Sequence, residues 1–295
     1  MKINELFKNN NATLSFEIFP PKKDTALKNI DETLEILSDL KPDFISITFG
    51  AGGSSNNNKT IELAKKIKNE YNIEPLVHLT CLNYTKKDID KFIYELKESG
   101  INNILALRGD ANNNELVNKD FFHASELTKY IKETSDFCLG GACYPEGHIE
   151  AINKKEDIIN LKKKVKCGAD FLITQLFFDN NFYYEFLDEC KEEEINVPII
   201  PGIMPVINKN QIEKMINLCG ASLPNSFRRI INRFREDKEA LFDAGISYAL
   251  SQVVDLLASN VSGIHLYTMN NPIVAKKICD GIKSIRSVEY KVNQF

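Results

Sequence analysis

At 295 residues, with 43% hydrophobic and 26% charged side chains, the chain has the composition of a globular α/β protein, long enough for one large domain or two small ones. A net charge of −4 gives no electrostatic footprint for nucleic acid, and seven scattered cysteines without a C-x-x-C pair argue against a disulfide framework or a zinc or iron–sulfur site. Residues 1–15 lack the apolar core of a signal peptide, no segment is expected to approach a membrane span, and a reducing cytoplasm is the expected location.

In chain order, eight short β-rich runs alternate with amphipathic helices. The first is Leu14–Phe19, closed by Pro20-Pro21, and it carries Glu17 within S-F-E-I-F-P-P. Burying a charge costs far more than burying an apolar group, so Glu17 is paired, used in chemistry, or turned to solvent at the strand end. Leu27, Ile30, Leu34 and Leu37 then share one helical face. Phe44–Phe49 and Leu76–Leu82 are the next two runs. Thr85-x-x-Asp88 has the capping-box form that opens a helix, whose apolar face is Ile89, Phe92, Ile93 and Leu96. Ile104–Leu107 and Phe137–Tyr144 follow, then a helix aligning Ile158, Leu161 and Val165, then Phe171–Phe178, Val197–Val206 and Ile264–Met269. The interval before the last run has room for an added helix, and Phe227, Ile230, Ile231 and Phe234 have the spacing for it. No Pro/Gly/Ser-rich linker sets that part off, so residues 1–295 are expected to form a single domain. Runs recur roughly every 30 residues, the length of a β-α unit. Without a G-x-G-x-x-G turn, the expected fold is an α/β (βα)8 TIM barrel with an extra helix between strands 7 and 8; a doubly wound sheet is the alternative.

A polar residue stands at or just past the end of nearly every run: Glu17, Thr48, His78, Arg108 with Asp110, Tyr144 with His148, Gln175, and Tyr267. Barrel active sites lie on that face. Singly, each has a bland account: His78 as a core histidine, Tyr267 as packing, Arg108-Gly109-Asp110 as a surface turn. Their coincidence favours an enzyme. Histidines 78, 123, 148 and 265 lack ligand spacing, so no metal site is expected, and no G-x-S-x-G elbow or Walker loop is present. Two carboxylates, several donors, aromatic rings and Lys162-Lys163-Lys164 suit a large, planar, phosphate-bearing cofactor beside a proton donor. The lysine run equally suits a solvated helix face. Asp157, Asn160 and Lys164 share one helix side that can face a ribose or phosphates.

S-F-E-I-F-P-P, S-I-T-F-G-A, H-L-T-C, A-L-R-G-D, Y-P-E-G-H, D-x-x-N-L-x-x-K, T-Q-L-F-F-D and P-G-I-M-P-V, in that order, resemble the bacterial methylenetetrahydrofolate reductases from Ser15 to Asn270. The resemblance implies a barrel flavoprotein carrying FAD rather than FMN. It would pass a hydride from NADH or NADPH through the flavin to 5,10-methylenetetrahydrofolate, giving 5-methyltetrahydrofolate for one-carbon metabolism and methionine biosynthesis. By the same resemblance, Glu17 matches the general acid that promotes opening of the folate's five-membered ring, and Asp110 a charge-stabilising carboxylate between flavin and pterin. Thr48, Phe49, Ala51, His78, Arg108, Gly109, Asp110, Ala124, Tyr144, His148 and Ala151 match flavin contacts. Asp157, Asn160, Lys163 and Lys164 match the helix holding the adenosine and phosphates; Gln175, Gln211, Met215 and Tyr267 match the substrate side. The implied partners are folate and reduced nicotinamide, with no nucleic acid or membrane, a homo-oligomeric state, and in some relatives an electron-donor protein. Lys163 and Asn271 stand where the family pattern generally has Arg, and His123 where it has an aromatic residue. Another flavin barrel, such as a proline dehydrogenase-like enzyme, and a non-catalytic flavin- or folate-binding subunit are the competing readings.

Overall fold

The computed structural model describes residues 1–9, 11–20, 27–49, 54–82, 84–109, 120–208, 211 and 219–288, the side chains of 27–28 and 54–58 excepted. A 3-10 helix, Ile3–Lys8, precedes β1 (Thr13–Ile18), α1 (Leu27–Asp39), β2 (Phe44–Ile47), α2 (Ser54–Tyr71), β3 (Glu74–Thr80) and α3 (Lys86–Glu98). There follow β4 (Asn103–Leu107), α4 (Ala124–Thr134), β5 (Cys138–Cys143), α5 (Lys154–Lys166), β6 (Phe171–Thr174), α6 (Asn180–Glu192), β7 (Ile199–Ile200) and β8 (Gly202–Ile203). Next come α7 (Asn225–Phe234), α8 (Lys238–Ala258), β9 (Gly263–Tyr267) and α9 (Pro272–Arg286).

All described strand pairs are parallel, in the order β7-β6-β5-β4-β3-β2-β1-β9-β8. The expected run Val197–Val206 is split at Pro201, which has no N–H to give to a ladder. Its first half, β7, pairs with β6, and its second half, β8, pairs with β9. The Pro201 carbonyl accepts from the His265 N–H at 3.0 Å. The broken run thus joins both ends of the sheet, and the eight expected runs close a barrel ringed by helices. Several runs also end sooner than their apolar lettering suggests: pairing stops at Ile47, Thr80 and Thr174, and the remaining residues are loop on the C-terminal face.

Side chains alternate across each strand, and this decides what fills the barrel. Leu14, Phe16 and Ile18 of β1 face the helices, in a core with Ile30, Leu34 and Leu37 of α1 and Ile89, Ile93 and Leu96 of α3. Phe44, Leu76, Leu105, Cys138, Phe171, Ile173 and Ile200 pack together inside, near the strand starts, with Ile3, Leu6 and Phe7 as a plug below. Gly140 is needed there, since a Cβ would stand 2.8 Å from the Phe171 ring and 2.9 Å from Leu105. Above this apolar layer the interior turns polar, with Ser15, Ser46, His78 and His265 all buried.

The capping box at Thr85 forms as expected: its hydroxyl accepts from the Asp88 N–H, and Asp88 accepts from the Thr85 N–H at 2.9 Å. α7 is the added helix, with Phe227 and Ile231 buried against Leu176, Phe178, Met204 and Val206. One expectation needs correction: α8 is long and apolar enough, by length and composition, to cross a membrane. Its Leu241, Ile246, Ala249, Val253, Leu256 and Leu257 are buried, and its Gln252 donates to the Phe177 carbonyl, so its apolarity serves the barrel's outer core.

Candidate active site

Glu17 occupies an inward position of β1. Phe16, its neighbour in sequence, faces the helices, so the surroundings of the carboxylate come from across the barrel. Its Oε2 lies 3.6 Å from His78 Nε2 on β3 and 3.9 Å from His265 Nε2 on β9. Parallel register sets Glu17 between Ser46 and Tyr267. His265 is fully buried, with Ser15 Oγ at 2.7 Å from Nδ1 and Ser46 Oγ at 3.4 Å from Nε2. Burial lowers the His78 pKa to about 4; Glu17 opposes this and His265 adds to it. The His78 ring is therefore neutral at pH 7, and its approach to Glu17 is not an ion pair there. Its Nε2 is buried without a hydrogen-bond partner. The Tyr267 hydroxyl donates to the Thr174 carbonyl at 2.6 Å, and burial, then Glu17, raises its pKa well above the ordinary phenol value.

A second cluster surrounds a cleft of about 270 Å3 at the ends of β4 and β5. Arg108 enters it from β4, and Ala124 from the start of α4. The segment after β5 contributes Tyr144, His148 and Ala151, and α5 contributes Asp157, Asn160, Lys163 and Lys164. Arg108 holds Glu150 in a two-pronged pair, its second nitrogen 2.8 Å from Oε1. Asp157 accepts from the His148 N–H at 3.0 Å; burial raises its pKa, while that bond and Lys164 pull it down. The Glu150 N–H donates to His148 Nδ1 at 3.0 Å, so that nitrogen is an acceptor and Nε2 is the ring's donor atom. The Lys164 amine donates to the Ala142 carbonyl at 2.6 Å, and burial lowers its pKa. Tyr144 stands edge-on to His148, its pKa pushed up to about 12 by burial. Cations, N–H donors and the small side chains of Ala106, Ala124, Ala142 and Ala151 fit a flat ring system with a phosphate-bearing arm.

The remaining expected residues are distributed differently. The Thr48 N–H donates to the Ile18 carbonyl, and Phe49 packs edge-to-face with Tyr84 and with Phe92 of α3. Gly109 has φ +85°, and a Cβ there would stand 2.9 Å from Thr80 Cβ. Gln175 Oε1 accepts from the Leu176 N–H, and Gln211 Oε1 from the Ile207 N–H, so both side-chain carbonyls are engaged with nearby backbone. Lys162 pairs with Glu193 and Glu194, as the solvated-face account has it. Asn271 caps α9, accepting from the Ile273 and Val274 N–H groups. Ala51, Asp110 and Met215 lie outside the described residues. Among the described residues no three His, Cys, Asp or Glu side chains group in a way that could hold a metal ion. Sequence reasoning missed Ser15, Ser46, His265 and Glu150. The alternation in I-H-L-Y, which puts His265 and Tyr267 on one face of β9, was a signal for the first cluster.

The methylenetetrahydrofolate reductase family model matches residues 2–283. A 5,10-methylenetetrahydrofolate reductase of Buchnera aphidicola from Acyrthosiphon pisum is 37% identical over 273 residues, covering 92% of this chain and 91% of that one. Methylenetetrahydrofolate reductase (NADH) 1 of Arabidopsis thaliana is 34% identical over 284 residues, covering 91% of this chain and 48% of the longer plant protein. Among solved structures, a Clostridium thermocellum protein described as binding two copies of 5-methyl-5,6,7,8-tetrahydrofolic acid shares the fold. Its TM-score is 0.65 at 16% identity, over 97% of this chain and 99% of that one. With a family model spanning nearly its whole length, and relatives above 30% identity over nine-tenths of it, the chain belongs to the methylenetetrahydrofolate reductase family.

Proposed function

We propose that this chain reduces 5,10-methylenetetrahydrofolate to 5-methyltetrahydrofolate with NADH or NADPH, through FAD held in the β4–β5 cleft, in two successive half-reactions. The observation that carries the proposal is the placement of Glu17, inside the barrel facing two imidazoles, in a chain whose neighbouring cleft fits a phosphate-bearing cofactor. The family is flavin-dependent. A bound flavin would supply the redox chemistry, carrying a hydride between the nicotinamide and the folate's one-carbon unit.

The protein's own side chains bind and direct protons. Arg108, Asn160 and Lys163 offer donors to the phosphate arm, and the alanines leave room for the flat rings. Glu17 gives a proton to the folate nitrogen released when the five-membered ring opens. That proton and one hydride account for the two hydrogens that separate product from substrate. Asp110 is assigned to hold charge beside the flavin, and Thr48, Phe49, Ala51, His78, Arg108, Gly109, Ala124, Tyr144, His148 and Ala151 to contact it. Gln175, Gln211, Met215 and Tyr267 are assigned to the folate side. The chain is further taken as one barrel domain, homo-oligomeric and cytoplasmic.

Anaerobic stopped-flow mixing tests this. Purified protein should be yellow, bleach with NADH or NADPH, and recover its absorbance with methylenetetrahydrofolate. Glu17→Gln should bleach nearly normally and fail to recover. Protein that takes up no flavin, or equal loss of both half-reactions in Glu17→Gln, would refute the proposal. Bleaching by neither nicotinamide would turn the electron source to a partner protein.

A further inference from the structure

The lower barrel interior is filled by apolar side chains, yet the next layer holds Ser15, Ser46, His78 and His265, all buried. Burying polar groups costs free energy unless they are hydrogen-bonded, and apolar filling evidently works a few ångströms below. His265 is the centre of this layer. Serines from two different strands engage its two nitrogens: Ser15 from β1 at Nδ1 and Ser46 from β2 at Nε2. Ser15 itself is fully buried, so the Ser15–His265 contact is not a nucleophile with its base. The layer's remaining connection is upward, to Glu17 Oε2, 3.9 Å from His265 Nε2.

We infer that His265 is a positioning residue for Glu17: the Ser15 hydroxyl, 2.7 Å from Nδ1 and 3.4 Å from the Ile264 carbonyl, donates to the nearer Nδ1, which leaves the ring's proton on Nε2, between Ser46 Oγ and Glu17 Oε2. It rests on the assignment of Glu17 as proton donor to the folate. The 3.9 Å separation is longer than a hydrogen bond, and such contacts tighten when substrate closes a site. Once Glu17 has given up its proton, the Nε2–H group faces the new carboxylate and stabilises it. Because His265 and His78 approach the same oxygen, Oε2, the other oxygen is left to serve the folate. The other groups facing Glu17 are less fixed or already committed. His78 Nε2 stands nearer, at 3.6 Å, but among the described residues no hydrogen bond fixes its proton on that nitrogen; the Tyr267 hydroxyl is committed to Thr174, and Thr268 donates to the Glu17 backbone carbonyl. Ser46 is shared with His265 itself.

The test uses His265→Gln and His265→Asn in the flavin-loaded, full-length protein, with both half-reactions followed by stopped flow across pH. A glutamine amide reaches the place of Nε2, whereas an asparagine amide reaches only that of Nδ1. His265→Asn should slow flavin reoxidation by the folate about tenfold, the loss expected for one hydrogen bond to a charged group. It should also move the limb on which that rate falls with rising pH upward, with bleaching by the nicotinamide unchanged. His265→Gln should restore most of the rate and the wild-type limb. Ser15→Ala, a smaller change, should move the limb the same way and covers the case in which the histidine variants do not fold. Equal slowing of both half-reactions, equal behaviour of Asn and Gln, or an unmoved limb in Ser15→Ala would overturn the inference. Glu17→Gln in parallel separates the two claims. If it leaves reoxidation intact, the assignment of Glu17 fails; if it abolishes reoxidation while His265→Asn and Ser15→Ala behave as wild type, only the role of His265 fails.

Discussion

His78 should make this protein sensitive to mild acid. Its folded pKa is lowered from 6.5 to about 4, first by burial and then by His265, with Glu17 opposing. Between those two values the unfolded chain binds a proton at this site and the folded chain does not, so stability falls as pH falls through the window. Above 6.5 both states are neutral here and the site contributes no slope; below 4 both are protonated and the loss is complete. A depression of about 2.5 units corresponds to about 3 kcal/mol at 1.36 kcal/mol per unit. Urea unfolding of the flavin-free protein, read by circular dichroism at half-unit steps from pH 7.5 to 4, measures it. Carboxylates also titrate in this range, so the informative quantity is the difference between wild type and His78→Gln, whose side chain does not titrate. That difference should be flat above pH 6.5 and should then change by about 3 kcal/mol against wild type by pH 4. Parallel stability curves down to pH 4 would show that the imidazole takes up its proton in place, refuting the claim that burial keeps it neutral.

Three other substitutions probe separate parts of the structure. Gly202→Ala would put a Cβ 2.5 Å from the Thr174 carbonyl and 2.7 Å from the Tyr267 hydroxyl, and should cost on the order of 1–3 kcal/mol, visible as a fall of several degrees in Tm by calorimetry. Arg108→Lys keeps the charge but loses the fork, and should weaken flavin binding about tenfold in a fluorescence titration, with Tm of the flavin-free protein little changed. Tyr183→Phe strips the Ile199 carbonyl of its 2.8 Å donor inside the core, and should lose about 1–2 kcal/mol in urea unfolding.

The strands were legible because both their faces are apolar over the lower barrel, which writes them as continuous runs such as Phe171-Leu-Ile. The helices were legible through periodicity and caps, as at Thr85 and Asp88. Loop starts were not, because the segments after β6 and β8 are as apolar as the strands they follow; Leu176, Phe178, Met204 and Val206 pack against α7 instead of pairing. Of the site, the α5 side of the cleft came directly from helical spacing, since Asp157, Asn160 and Lys164 do line it. The surroundings of Glu17 did not, because alternation turns Phe16 away and supplies His265 from a strand closed on β1 only by the barrel's last turn. A pairing so distant in sequence leaves no local signal. Gln175 and Gln211 add a detail that residue type could not give: the folded loops engage their side-chain carbonyls with nearby backbone N–H groups, so what each offers a substrate is its amide N–H.

The two clusters are held by different means, and this should separate their mutational phenotypes. Arg108 and Glu150 are 30% and 55% exposed as side chains, and exposed pairs of this kind contribute little to stability, so a ligand can rearrange them cheaply. His265 is fixed by Ser15 and Ser46 on neighbouring strands, within a barrel that no ligand can rearrange without breaking the sheet. A cofactor needs to be gripped, and a grip tolerates adjustment of side chains around it. A proton donor needs direction, and direction requires a frame that stays still. Changes at Arg108, Asn160 and Lys163 should therefore alter flavin affinity at constant stability. Changes at Ser15 and His265 should alter stability and the folate half-reaction together, leaving flavin affinity near its wild-type value.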